Sequence, residues 1–261
     1  PRYAEEIQTE YFSRGLHHIL KMYRDKVCGI INGIDTDRYN PASDKTITKT
    51  FSAADISGKA ADKADLQRIF GLPEKPDVPV VAMVSRLASH KGFDLVRRVA
   101  DELLDTENVQ FVLLGTGESE LEDFFSGLSE RHRGKCGVML AYDGRLAKQI
   151  YAGADIFLMP SKSEPCGLSQ MIASRYGAVP VVREVGGLCD TIKPYNPETG
   201  EGNGFTFVTY NAHDMLDAIR RSVKLYSNKA QWEHLVSNAM NMDFSWNASA
   251  KKYIEMYESL R

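Results

Sequence analysis

The sequence predicts an α/β fold built on a doubly wound parallel sheet, closed by a run of C-terminal helices. Three observations carry that expectation. From Pro79 onward, short runs of Val, Ile and Leu recur without polar alternation, as in Val80–Val84 and Ile156–Met159, which is how strands covered on both faces read. Between them lie segments with apolar residues at helical spacing. Glycine or proline marks many of the joins, as at Gly115, Pro160 and Gly177. Strand–helix repetition of this kind gives right-handed crossovers and a parallel sheet.

Taken in order, Tyr3 to Lys26 reads as one helix, with Ile7, Leu16, Ile19, Leu20 and Tyr23 mostly at helical spacing. Cys28 to Ile31 reads as a short strand running into the turn Asn32-Gly33. Ala42 to Ala54 is polar and rich in Thr and Ser, which suggests an extended surface segment. Gly58 to Phe70 is a helix stopped by Gly71 and Pro73. Strands are expected at Val80–Val84, Val109–Leu114, Val138–Ala141, Ile156–Met159 and Val179–Val182. Helices fall between them at Phe93–Leu104, Glu118–Ser129, Arg145–Ala152 and Leu168–Tyr176. After Gly204-Phe205-Thr206-Phe207 the pattern is helical, at Ala212–Tyr226, Lys229–Met240 and Ala248–Leu260.

With 261 residues, 43% of them apolar, the chain can bury a sizeable core in one or two domains. A net charge of −3 gives no reason to invoke nucleic acid or an anionic membrane. No apolar run approaches the roughly 18 residues of a spanning helix, so a soluble chain is expected. Pro1 stands where a starting Met would, which suggests a piece of something longer, and the charged opening has no signal-peptide core. Cys28, Cys136, Cys166 and Cys189 are scattered without C-x-x-C spacing, so neither a zinc site nor a disulfide framework is expected; a reducing cytoplasm is. His17 and His18 are adjacent, point in different directions on a helix, and read as surface or packing residues. Asp35-Thr36-Asp37 could hold a divalent metal, but its place in a turn before Asn40-Pro41 favours cap chemistry.

The chemistry concentrates in Pro160 to Met171, reading PSKSEPCGLSQM. An apolar strand stops at Pro160, a polar loop carries Glu164, and a helix begins after Gly167. Such a strand–loop–helix junction is where an open α/β sheet presents its ligands. Gly167 removes a Cβ from the path of a ligand, and the N–H groups of Leu168 and Ser169 would face an anion. A carboxylate beside an anion site suits a ligand with two ends, such as a sugar nucleotide; an ordinary connection is the plain alternative. Arg86 and Lys91 follow the first strand of the repeat and would suit a diphosphate leaving group. Gly115-Thr116-Gly117 follows the second strand, but Glu120 stands where a dinucleotide fingerprint needs its third glycine, and Ala141-Tyr142 closes the next strand where an acid belongs. A nicotinamide site is thus the weaker reading. Tight approach of Gly115 and Gly117 to a sugar nucleotide and a plain turn both stay open. An exposed Tyr142 can supply a stacking face. Cys166 has no base partner in view and reads as packing or lining.

The string Ser-Glu-Pro-Cys-Gly-Leu-Ser-Gln resembles the signature of bacterial glycogen synthases and plant starch synthases, glycosyltransferase family 5. Val84-Ser85-Arg86-Leu87 with His90-Lys91-Gly92 is similar to the same family's Arg and Lys segment, and Asn32-Gly33-Ile34-Asp35, Ala152-Gly153-Ala154-Asp155 and Gly186-Gly187-Leu188 agree in order. Met171 stands where many other transferases of this fold carry a second glutamate, which favours family 5. The resemblance implies the C-terminal, Rossmann-like half of a GT-B glycosyltransferase. Residues 1–27 would be the end of the N-terminal domain and its crossover, 28–243 the nucleotide-sugar domain, and 244–261 a helix returning to the other half. It implies retaining transfer from ADP-glucose to an α-1,4-glucan, with no cofactor or metal. Arg86, Lys91 and Glu164 would be catalytic. Gly115, Gly117, Tyr142, Cys166, Gly167, Leu168, Ser169, Gly186 and Gly187 would bind the nucleotide sugar. Another sugar-nucleotide transferase and a non-catalytic nucleotide- or glucan-binding module are the competing readings. Val185 departs from the family's Thr, which removes a hydroxyl expected near the phosphates. The chain also lacks the family's N-terminal Lys-Thr-Gly-Gly-Leu, so alone it is expected to bind ADP without transferring glucose.

Overall fold

A computed structural model describes residues 1–260. Six parallel strands form one sheet in the order β3-β2-β1-β4-β5-β6. They are β1 (Val80–Val84), β2 (Gln110–Leu114), β3 (Cys136–Met139), β4 (Ile156–Met159), β5 (Val179–Arg183) and β6 (Phe205–Phe207). The strand order reverses between β1, which pairs with β2, and β4, which pairs with β1 on its other side. That switch point opens a crevice at the carboxyl ends of the two central strands.

Helices cover the sheet as the apolar spacing requires. In α5 (Phe93–Thr106), Phe93, Val96, Ala100, Leu103 and Leu104 are buried on one stripe. The helix α7 (Gly144–Gly153) starts where Asp143 Oδ1 accepts the N–H groups of Arg145 and Leu146 at 2.8 and 3.0 Å, a cap worth about 1 kcal/mol. The expected strands and the helices from α4 (Lys59–Ile69) onward are found with small shifts of their ends: α6 (Ser119–Arg131), α8 (Ser169–Arg175), α10 (Ala212–Tyr226), α11 (Lys229–Met240) and α12 (Trp246–Glu258).

Five local expectations need correction. The N-terminal stretch is not one helix but α1 (Arg2–Glu6), α2 (Glu10–Ser13) and α3 (His17–Met22), broken where Arg14 and Gly15 take φ of 50° and 88°. The His17 and His18 rings do not diverge; their centroids lie 3.9 Å apart. Among the described residues Cys28–Ile31 finds no strand partner, and the nearby link is Ile34, whose N–H reaches the Phe244 carbonyl at 2.8 Å. Residues 42–54 are not simply a surface segment: Asp44, Ile47 and Phe51 are buried. Finally, Phe205–Phe207 is a sixth strand and Gly186–Thr191 a short helix, α9, neither expected from the sequence.

The amino edge of the sheet is closed by ionic staples. Lys59 Nζ donates to the carbonyls of Ala152, Ala154 and Tyr176 at 2.7–3.0 Å. Lys63 Nζ meets Asp155 Oδ2 at 2.7 Å, the Tyr226 hydroxyl at 2.8 Å and the Pro76 carbonyl at 2.9 Å. Asp155 also accepts the Val80 N–H at 2.8 Å, fixing the start of β1. Buried ions persist only when paired and hydrogen-bonded; Lys63 and Asp155 are both, and Lys59 is held by its three carbonyl acceptors.

Candidate active site

At the opposite, carboxyl edge the loops after β1 and β4 are fastened to one another. Gly92 holds φ of 79°, and a Cβ there would lie 2.0 Å from the Pro160 carbonyl oxygen. The Lys162 N–H donates to the His90 carbonyl at 2.9 Å. This fastening brings Lys91 Nζ to 2.6 Å from Glu164 Oε2, which also accepts from Ser161 Oγ at 3.3 Å. Among the described residues, Glu164 Oε1 accepts no hydrogen bond. Glu164 is 7% exposed. Arg86, five positions before Lys91, is exposed, and its guanidinium has neither ion pair nor hydrogen-bond partner among the described residues. Burial first, and then the nearby Lys91 and Arg86 charges, push His90 below its ordinary value.

The glycines work differently from the expectation. At Gly115 and Gly117 a Cβ would come within 1.9 and 2.0 Å of the Ser85 and Leu87 carbonyl oxygens. Their N–H groups are taken by the Met139 carbonyl and by Glu122 Oε1, at 3.2 and 2.8 Å. They therefore let the β2 loop brace the loop that carries Arg86. Gly186 and Gly187 are likewise occupied: Gly186 donates to the Glu6 carboxylate at 3.0 and 3.1 Å, and Gly187 to the Glu164 carbonyl at 3.0 Å. The N–H groups of Leu168 and Ser169, in contrast, meet no protein acceptor among the described residues.

Behind Gly167 lies Gln170, fully buried, whose Nε2 donates to the Cys166 and Gly167 carbonyls and to Thr191 Oγ1 at 2.8–3.1 Å. It shapes the loop from below. Gln170 closes the signature string but was given no role from the sequence, and Thr191 and Glu6 were not singled out, since a Glu in a charged opening carries no local signal. Burial pushes the Cys166 thiol up, and the Asn32 N–H offsets this only in part, so the thiol is a packing group rather than a nucleophile. Tyr142 stands 97% exposed in the turn after β3. Val185 is 1% exposed and packs with Val182, Leu188 and Ile192 in an apolar cluster. Val185 is also the N-cap of the helix Gly186–Thr191, so the departure from Thr leaves that helix without a side-chain cap. Asp35 Oδ1 accepts the N–H groups of Asp37 and Arg38 at 3.1 and 2.9 Å, the turn chemistry expected there.

Residues 65–240 match the family described as glycosyl transferases group 1. The chain belongs to this family. It is 50% identical over 260 residues to a glycogen synthase of Bacillus cereus (strain Q1), and 51% identical over 260 residues to one of Geobacillus stearothermophilus. These alignments take in 100% of this chain but 54% and 53% of those proteins, so it spans about half the length of the curated relatives it matches. Among solved structures, the catalytic domain of Starch Synthase IV from Arabidopsis thaliana bound to ADP and acarbose is similar, with a TM-score of 0.92 at 37% identity. The match covers 99% of this chain and 54% of that one. Sucrose-phosphate synthase from Thermosynechococcus elongatus matches at 0.61 with 20% identity, covering 88% of this chain and 52% of that one, a likeness of fold alone. The six-stranded parallel sheet is thus a GT-B glycosyltransferase domain, and the resemblance to glycogen and starch synthases read from the motifs is borne out.

Proposed function

We propose that this chain is the donor-binding half of a glycogen or starch synthase, which moves glucose from ADP-glucose to the non-reducing end of an α-1,4-glucan with retention of configuration. One observation carries the reading: unpaired Arg86, the Lys91–Glu164 pair and the open N–H groups of Leu168 and Ser169 share one sheet edge. Breaking the glycosyl–phosphate bond leaves its electron pair on a diphosphate oxygen. Arg86 can grip that diphosphate in a bidentate fork, Lys91 adds a point charge, and the two N–H groups complete the cradle. The open Oε1 of Glu164 is placed to accept from glucose hydroxyls while Oε2 stays with Lys91. Tyr142 offers its exposed ring to the adenine.

Residues 1–27 would then be the crossover from the other half, 28–243 the nucleotide-sugar domain, and 244–261 the helix that returns. The apolar side chains Trp246, Tyr253, Ile254 and Tyr257 of α12, 36–61% exposed, fit such a return. The acceptor and the rest of the closed cleft belong to the companion half, and that positioning is worth about 7–11 kcal/mol of barrier. In a cytoplasmic enzyme of this kind the present chain alone binds ADP and does not transfer. The test is to incubate it with labelled ADP-glucose, UDP-glucose or UDP-GlcNAc and glycogen, with and without the companion half. Label should enter glucan from ADP-glucose only when both halves are present. Full-rate labelling by this chain alone, or failure to bind ADP, would sink the reading.

A further inference from the structure

The strongest unexplained feature outside the donor loops is a buried carboxylate from the N-terminal segment. Glu6 lies outside the residues that match the family profile, 65–240, and is 6% exposed. Both of its oxygens face the Gly186 N–H, at 3.0 and 3.1 Å, and Arg2 Nε lies 3.3 Å from Oε1. At the other end of α9, the Arg2 N–H donates to Asp190 Oδ2 at 3.0 Å. Helix α1 is therefore strapped along α9 by one carboxylate at each end, and Phe12 packs on the Val182, Val185, Leu188 and Ile192 cluster beneath.

This strap reaches the site through rigid steps. Gly186 takes φ of 46°, and a Cβ there would sit 2.0 Å from the Glu164 carbonyl oxygen, so the two backbones have no slack between them. Gly187 donates to that same carbonyl at 3.0 Å. Thr191 Oγ1, bonded to the Gly187 carbonyl at 2.7 Å, receives Gln170 Nε2 at 3.1 Å. Both ends of the 164–170 loop are thereby tied to α9, and α9 to Glu6. Val185 supplies no side-chain cap for this helix. Without Glu6 the Gly186 N–H would be a buried orphan donor, which costs more than the bond itself contributes.

We propose that Glu6 is a positioning residue for the donor site, holding the Gly186–Gly187 turn so that Glu164 meets Lys91. The kinetic part rests on the donor reading above; the exchange part does not. Hydrogen exchange is followed in this chain by mass spectrometry, and turnover is measured in the full-length polypeptide for Glu6→Ala, Glu6→Asp and Glu6→Gln. Glu6→Asp keeps the charge but withdraws it by one methylene, and serves if Glu6→Ala does not fold. Exchange at Gly186 and at Gly187, whose N–H groups hold the Glu6 carboxylate and the Glu164 carbonyl, should rise about tenfold in Ala and Asp. Their kcat should fall about tenfold with KM for ADP-glucose within threefold, the pattern of a lost transition-state alignment. Glu6→Gln keeps an acceptor for the N–H and should recover both readouts to within about threefold. Raised exchange with an inactive wild type would leave the strap standing and fell the donor reading. Variants that lose thermal stability yet keep wild-type kcat and wild-type protection of the Gly187 amide would overturn the proposal, leaving Glu6 a helix cap.

Discussion

The two edges of the sheet carry the same pair of residue types for opposite purposes. At the amino edge Lys63 and Asp155 stand 2.7 Å apart, with side chains 7% and 9% exposed; at the carboxyl edge Lys91 and Glu164 stand 2.6 Å apart, at 22% and 9%. What differs is the remaining hydrogen-bonding capacity. A lysine ammonium carries three donors, and Lys63 has a partner for each: Asp155, Tyr226 and Pro76. Among the described residues Lys91 has Glu164 alone, with unpaired Arg86 nearby. The cleft of about 460 Å³ beside the amino edge, lined in part by Lys59, Lys63 and Trp232, is therefore no competitor for the site. Its buried cations, Lys59 and Lys63, already have their acceptors. An ion pair closed on all sides is a staple, and one with open valences is a place for a ligand.

Breaking each pair in turn tests that contrast. Arg86→Ala or Lys91→Ala in the full-length enzyme should lower turnover by about 10² or more, because the charge they face grows as the bond breaks. Thermal melting of Arg86→Ala should stay close to wild type, whereas Lys91→Ala also leaves the buried Glu164 carboxylate unpaired and should lower it; a rise in KM alone would assign them to ground-state binding. Lys63→Ala or Asp155→Ala should do the reverse, costing about 3–5 kcal/mol by leaving a buried charge unpaired. Urea denaturation reads the loss, and ADP titration of the folded fraction should give wild-type affinity. Tyr142→Ala should weaken ADP binding by roughly 1–3 kcal/mol through lost stacking, with no change in the urea midpoint, since the ring touches nothing in the structure. Unchanged ADP affinity would remove Tyr142 from the site.

The smallest effect is a pH dependence at the closed edge. Burial would raise the Asp44 carboxyl, but hydrogen bonds from Tyr176 at 2.5 Å and from Thr46, with Lys148 Nζ at 3.0 Å, outweigh it and hold the group at about 2. Its folded value lies below the ordinary 3.8, so its contribution is present above that pH and is lost as pH falls through about 2. The loss should amount to roughly 1–2 kcal/mol. Asp44→Asn should flatten this part of the stability curve, read as the urea midpoint at pH 5 and pH 2.5.

The sheet was legible because its strands are buried on both faces, and a short unbroken apolar run between turn residues fits little besides a covered strand. Phe205–Phe207 escaped because three residues with a Thr between aromatics set no period, and only pairing with β5 makes them a strand. Cys28–Ile31 has the composition of a strand but no neighbour to pair with. Residues 42–54 read as surface because the features that bury them are distant: Tyr176 and Lys148 hold Asp44 from over 100 positions away. Within the site, Arg86, Lys91 and Glu164 were readable as residue types at strand ends. Their division into an open cation and a closed pair was not, since 73 positions separate Lys91 from Glu164. The glycines showed where backbones come close, without showing that the close neighbour is the protein's own carbonyl.

The chain contains two tryptophans, and the fold places them in unlike surroundings. Trp232 is 5% exposed and meets the Tyr226 ring edge-on at 5.2 Å, whereas Trp246, at the start of α12, is 50% exposed. A single emission spectrum is therefore a sum of one shielded and one hydrated indole. With Trp232 replaced by Phe, the remaining fluorophore becomes a gauge of whether anything covers α12. With Trp246 replaced instead, the signal follows the opening of the α10–α11 core.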